Sequence, residues 1–371
     1  SVQPQHLAYV QSLGYGGTGV LTPTNPTPSI CTDLLDDSSL LAQLAAHAGP
    51  SGSLALVPYV STPAFLDLAA RLRNGFGLTV LSPESPAPNA LWLRDYADRK
   101  AGFRWLAPDA PFPEGYVCRD TIEGAAVARW FLEAGRACIV KPDSGNSGFG
   151  QLVLRPGDDP AKLAADPFLG RDQMIVEEFV TSSTFPSVEY FVPPLGDGPP
   201  RLTYACLQIL RGSHFAGVII DRDQREAGWY QPLVAAGERI AARLQRGGYT
   251  GCFDLDAVVD RDGGTLLLEL NARRTGGTHA HELAGFLLGP DYLSHAAVIC
   301  HAELACPSCA SFEALHAALA PLLYPLGGER RGLVITNCPA AEDRTFGCTI
   351  LGRDAQDAAV LEGDMFARIG V

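Results

Sequence analysis

Asp256-Ala-Val-Val-Asp260, followed after a turn by Leu266-Leu-Leu-Glu269-Leu-Asn271-Ala-Arg273-Arg274, sets carboxylates and a carboxamide into two otherwise apolar runs. The Asp and Gly residues of Asp260–Gly264 suit a tight turn, so the pattern predicts strands over Cys252–Val259 and Thr265–Leu270 closed as a hairpin. Alternation puts Glu269 and Asn271 on one face, and pairing lets Asp256 lie opposite them. Two carboxylates and a carboxamide are hard oxygen donors of the kind Mg²⁺ takes while keeping waters and bridging to nucleotide phosphates. Without a cation, burying them would be costly. The adjoining Arg273 can neutralise a transferring phosphoryl group or hold a carboxylate in bidentate fashion. Structural salt bridging accounts for single members of this set. It gives no packing rationale for a strand that ends in Glu269-Leu-Asn-Ala-Arg-Arg-Thr-Gly-Gly-Thr-His279.

Upstream, a short apolar strand over Ala137–Val140 runs into Lys141-Pro142-Asp143-Ser144-Gly145-Asn146-Ser147-Gly148-Phe149-Gly150. Glycines let backbone N–H groups approach phosphate oxygens, Ser144 and Ser147 add hydroxyl donors, and the lysine adds a fixed positive charge. Lysine is scarce: of 28 Lys and Arg residues only Lys100, Lys141 and Lys162 are lysine, which singles out one placed at a strand end. The order differs from a Walker loop, because the lysine precedes the glycines. A glycine-rich hairpin turn is the plain alternative. Between the two motifs, Ile175-Val176-Glu177-Glu178-Phe179-Val180 reads as an apolar strand carrying two carboxylates, with Glu189 beyond a Thr/Ser-rich turn. A strand edge can read adenine through its backbone and a nearby carboxylate can hold ribose hydroxyls. A solvent-facing glutamate pair on an edge strand is the alternative here.

Further out, Leu54–Val60, Ala64–Arg73 and Leu78–Ser82 read as strand, helix and strand of a small parallel α/β unit. The Gly14–Gly19 run lacks a preceding apolar strand and reads as a loop, not a dinucleotide fingerprint. One helix is predicted to carry Asp98, Arg99, Lys100 and Arg104, and Pro108–Pro113 forms a connector. Helices are predicted over Thr121–Ala134 and Gln231–Arg246, with an antiparallel-rich run of strands between them and a mixed tail after Pro290. A chain of 371 residues with 47% hydrophobic content supports several compact units. Net charge of −13 opposes a nucleic-acid surface. No apolar run is long enough to span a bilayer, and a cytoplasmic location is the expectation. The ten cysteines read as reduced and mostly buried, and the lone Cys306/Cys309 pair near His301 falls short of a zinc set.

In this order and spacing the three motifs resemble the ATP-grasp superfamily, which includes D-alanine–D-alanine ligase and biotin carboxylase. The resemblance covers about residues 95–290. It implies an α/β (α+β) ATP-grasp fold with a pre-ATP-grasp α/β domain over 1–115, a small lid-and-hinge subdomain over 116–180 and a large subdomain with the metal site over 181–371. It further implies ATP and Mg²⁺ as cofactors. Lys141 would contact nucleotide phosphates, as would Lys100 as the family's first nucleotide lysine. Ser144, Gly145, Asn146, Ser147 and Gly148 fall in the phosphate lid, which extends to Gly150. Glu177, Glu178, Phe179 and Val180 would form the adenine hinge and Glu189 would hold ribose. Asp256, Glu269 and Asn271 match the magnesium set, and Arg273 matches the arginine that, with Lys141, serves the acyl-phosphate step. The extension through Arg274, Gly276, Gly277, Thr278 and His279 is similar to a substrate motif in peptide ligases of the pheganomycin type, although Ala280 and His281 stand where those enzymes tend to have Pro. His279 is open between substrate binding, proton transfer and a structural place. The resulting expectation is an ATP-dependent ligase joining an amino acid carboxylate to an amino acid or peptide amine, assembled as a homodimer. A carboxylase-like enzyme and a nucleotide-binding regulatory protein are the alternatives.

Overall fold

The computed structural model describes residues 3–370 except 15, 18, 146–149, 170, 171, 310 and 339–343. Near the N-terminus, strands β1 (Ser53–Ala55) and β2 (Thr79–Leu81) pair in parallel, joined by the helix Pro63–Phe76. That helix starts where Pro63 needs no amide partner and the Thr62 hydroxyl accepts the Phe65 N–H at 3.1 Å. It buries Phe65, Leu68, Ala69 and Leu72, spaced as one face, and stops at Gly77 with φ of 68°. The first strand is shorter than Leu54–Val60, because Pro58 offers no ladder N–H and β2 supplies only three partners.

Strands β3 (Gly115–Cys118), β4 (Cys138–Pro142), β5 (Leu152–Leu154) and β6 (Met174–Glu178) form an antiparallel sheet in the order β3-β6-β4-β5. The helix Thr121–Glu133, capped by Asp120, packs Ala128 and Phe131 on it with Cys138, Val140 and Val176. The remaining strands are β7 (Pro186–Val192), β8 (Arg201–Arg211), β9 (His214–Ile220), β10 (Gly251–Val259), β11 (Thr265–Asn271), β12 (Ala297–Ala305), β13 (Gly332–Asn337) and β14 (Thr345–Gly352). They make one sheet ordered β11-β10-β7-β8-β9-β12-β14-β13. The helix Tyr230–Arg246 covers the β7 end through Leu233, Ala236, Ile240 and Leu244. Gly237 lets it approach closely, since a Cβ there would sit 2.4 Å from the Tyr190 ring. Helices Gly276–Leu288 and Ala355–Ile369 enclose the other core, around Ile299, Leu304 and Ile350.

Two expectations are corrected. The helix predicted to carry Asp98 through Arg104 is two helices, Leu91–Asp98 and Lys100–Leu106, with Arg99 extended between them (φ −85°, ψ 135°). Gly102 permits the fold-back, because a Cβ there would meet the Tyr96 carbonyl oxygen at 1.9 Å. Cys306 and Cys309 are joined as a disulfide, since the Cys309 N–H bonds the Cys306 carbonyl at 3.0 Å and the turn brings the Cα atoms to 5.4 Å. Among the described residues no three His, Cys, Asp or Glu group together as a metal site, and His301 is bonded to Glu362 instead. No helix among them is long and apolar enough to cross a membrane.

Candidate active site

A cavity of about 670 Å³ lies between the four-stranded and eight-stranded sheets. The β10–β11 hairpin forms its acidic wall. Register sets Asp256 opposite Glu269 and Asp254 opposite Asn271, and β7 adds Ser187 beside Asp256. These side chains share one face because each pair is two residues from the next. Asp254, only 4% exposed, escaped the sequence reading although its spacing from Asp256 put it on the same face. Burial pushes the Asp254 carboxyl up to about 6; it also raises Asp256, helped by repulsion from Asp254 and Glu269. Gln208, also missed, donates to Asp256 Oδ1, and Asn271 Nδ2 donates to Oδ2 at 3.0 Å. Lys100 Nζ stands 3.4 Å from Glu269 Oε2, and Arg273 donates to Asn271 Oδ1 at 2.7 Å. These carboxylates and the carboxamide are oxygen donors of the kind a divalent cation takes, although among the described residues no three acidic side chains close into a metal site as they stand, and a cation among them would relieve the repulsion that raises Asp256.

The facing wall belongs to β4 and β6. Lys141 and Glu177, both buried, form an ion pair, and Arg104 joins Glu177 from the side. Glu178 is turned to Arg136 at 2.6 Å. The chain then crosses the cavity edge: the Phe179 N–H bonds the Ala137 carbonyl at 3.0 Å, and Phe179 and Val180 line the cavity. Ser144 and Gly145 are exposed at the start of the glycine-rich loop, whereas Asn146, Ser147 and Gly148 lie outside the described residues. Gly276 and Gly277 line the end nearest Arg273, pressed against Phe215 and Tyr204, where added Cβ atoms would clash at 2.6 and 2.3 Å.

Four residues sit elsewhere than the sequence implied. Arg274 is bound to Glu84 at 2.8 Å and to Glu282, outside the cavity wall. Thr278 is buried and closes the capping box of the helix Gly276–Leu288. His279 stands one residue further round that helix, with Nε2 3.4 Å from Cys300 Sγ, and burial lowers its pKa. Glu189 does not reach the cavity: it is fully buried beneath the same helix, accepting hydrogen bonds from Thr278 and, at 3.4 Å, from Tyr204. A ribose-holding role therefore gains no support from its placement.

Burial pushes the Glu189 carboxyl from 4.5 up to about 8, against those two hydrogen bonds. A carboxyl that holds its proton more tightly when folded stabilises the protein fully below its unfolded pKa, and that contribution falls as pH rises toward 8. Glu189→Gln stays neutral, so its melting temperature should gain on the wild type by about 3–6 °C between pH 5 and pH 8. Parallel melting curves across that range would show the carboxyl to be ordinary.

No protein-family profile matches the chain. A stretch of 132 residues is 31% identical to the L-propargylglycine–L-glutamate ligase of Streptantibioticus cattleyicolor, covering 34% of this chain and 26% of that protein. The match thus spans about a quarter of the relative's length. Among solved structures, N5-carboxyaminoimidazole synthase from Aspergillus clavatus, in complex with ADP and 5-aminoimidazole ribonucleotide, superposes with a TM-score of 0.61 at 14% identity over 90% of this chain and 85% of that one. Biotin carboxylase from Campylobacter jejuni gives 0.62 at 13% identity over 88% and 77%. The biotin carboxylase domain of Hydrogenobacter thermophilus 2-oxoglutarate carboxylase, bound to MgADP and bicarbonate, gives 0.60 at 13% over 92% and 79%. These neighbours are ATP-grasp enzymes, and likeness over about nine-tenths of the sequence shows that this chain has the ATP-grasp fold.

Proposed function

We propose that the protein is an ATP-dependent ligase that activates an amino acid carboxylate as an acyl phosphate and joins it to the amine of an amino acid or peptide. The observation that carries this reading is one cavity with a buried acidic hairpin and Arg273 on one wall and a buried strand-end lysine on the other. A relative named as a ligase of two amino acids supports the choice of substrates. Asp256, Glu269 and Asn271, with Asp254 behind them, would hold Mg²⁺, which when bound supplies neutralising charge at the nucleotide phosphates. Lys141 offers a positive charge that Glu177 keeps pointed and Arg104 keeps balanced. Arg273 presents a planar fork suited to a carboxylate or a phosphoryl group.

In balance, a carboxylate oxygen takes the terminal phosphoryl group of ATP, releasing ADP. The amine nitrogen then attacks the carbonyl carbon, phosphate leaves, and the amine gives up a proton. Catalysis of this kind rests on positioning and charge, with no protein nucleophile. Cys206, on the cavity wall, is unsuited to that role because burial pushes its thiol well above the ordinary value.

The test is release of ADP and phosphate with ATP and Mg²⁺ across amino acids and short peptides, singly and in pairs, with products read by mass spectrometry. Pair-dependent release and a product lighter by one water than the sum of the pair are expected. Release that needs bicarbonate and no amino acid carboxylate would instead favour a carboxylase-like activity, the reading favoured by structural neighbours that are carboxylases. ATP binding without turnover on any of these would favour a regulatory protein.

A further inference from the structure

We propose that Asp143 is a positioning residue that fixes where Lys100 points, toward Glu269 on the cavity wall. The two cations stand four residues apart, on one face of the helix Lys100–Leu106. Lys100, 5% exposed, reaches Glu269 on the eight-stranded sheet, and Arg104 reaches Glu177 on the four-stranded sheet, where Lys141 is also bound. One short helix therefore spans both walls.

That helix carries no cap of its own. Arg99 makes no capping hydrogen bond and the first turn holds no acid. Asp143 supplies what is missing. Its carbonyl accepts the Lys100 N–H at 3.1 Å, and its Oδ1 accepts the Ala101 N–H at 2.8 Å. Its Oδ2 takes Arg99 Nη1 at 3.3 Å. Asp143 is itself 1% exposed and anchored by its own N–H to the Gln173 carbonyl at 3.0 Å, just before β6. From the other side, Asp98 Oδ1 accepts the Ala272 N–H at 2.9 Å, pinning the preceding helix to the end of β11. The residue two beyond Lys141 thus locates the helix whose lysine meets Glu269.

The inference rests on the reading that this cavity binds ATP. It is tested by ATP affinity in the presence of Mg²⁺, measured calorimetrically for the full chain and for Asp143→Asn, Asp143→Glu, Asp143→Ala, Lys100→Met and the Asp143→Ala/Lys100→Met double variant. A carboxamide oxygen can still accept the Ala101 N–H, so Asp143→Asn should stay within about threefold of wild type. Asp143→Ala should weaken ATP about tenfold, and the same change on the Lys100→Met background should cost less than about twofold, because its effect passes through Lys100. Asp143→Glu keeps the charge facing Arg99 but displaces the acceptor, so it should behave like the alanine variant and serves in its place if that one does not fold. Equal losses on both backgrounds, or rescue by glutamate and not by asparagine, would overturn the proposal in favour of a plain ion pair with Arg99. Failure of the wild type to bind ATP would overturn the reading of the cavity itself, and this inference with it.

Discussion

Replacing Glu269 by glutamine is expected to lower Mg²⁺-dependent ADP formation by about 10³-fold while the fold survives. Glu269 is the partly open member of the acidic hairpin, with 21% of its side chain exposed, and it faces both Asp256 across the pair and Lys100 at 3.4 Å. Gln can still accept a hydrogen bond from Lys100, so the local packing is kept and what is lost is one hard anionic oxygen. The neutral side chain also reduces the repulsion that raises Asp256. Stability should therefore change by no more than about 1–2 kcal/mol, the loss of one charge-assisted bond set against that relief. Two measurements check it: ADP release, and Mn²⁺ binding in the absence of nucleotide followed by the resonance of the free ion. Undiminished turnover with unchanged Mn²⁺ affinity would remove Glu269 from the metal set.

The hairpin was legible because its chemistry and its period lie in neighbouring residues. Asp260–Gly264 announces the turn, and alternation assigns Glu269 and Asn271 to one face. Asp254 was equally accessible by that rule; its place inside the apolar run Cys252-Phe253-Asp254-Leu255 disguised it. What covers a strand face is another matter. Glu189 alternates with Ser187 just as Glu269 does with Asn271, yet the helix Gly276–Leu288, far along the chain, closes over Glu189 and leaves Ser187 on the cavity. His279 follows the cavity glycines by only two or three residues, but helical rotation of about 100° per residue carries it to Cys300. The helix that restarts after Arg99 takes its cap from Asp143, 42 residues beyond Ala101, which no local pattern encodes. The same applies to β12, β13 and β14, read only as a mixed tail, which extend the large sheet in the order β9-β12-β14-β13.

Lys141→Met should weaken ATP by about 10²-fold and also destabilise the protein, and the two effects can be separated. Lys141 and Glu177 are 8% and 3% exposed at the side chain, so each removes the other's cost of burial. With the lysine gone, Glu177 keeps Arg104 among the described residues, and the loss should be about 1–3 kcal/mol, below the 3–5 kcal/mol typical of a buried charge left wholly alone. Replacing both members, as Lys141→Met/Glu177→Met, substitutes apolar volume for the pair and should recover most of that stability. Arg104 then retains the Pro113 carbonyl at 3.2 Å and the face of Phe112 at 4.8 Å, so it is not stranded. ATP affinity should not recover, because no positive charge remains at the end of β4. A double variant that regained both would mean that Lys141 serves the fold through Glu177 and that phosphate is held elsewhere. One that regained stability alone would assign the lysine to the nucleotide, with Glu177 as the partner that lets an ammonium group stay buried until phosphate arrives.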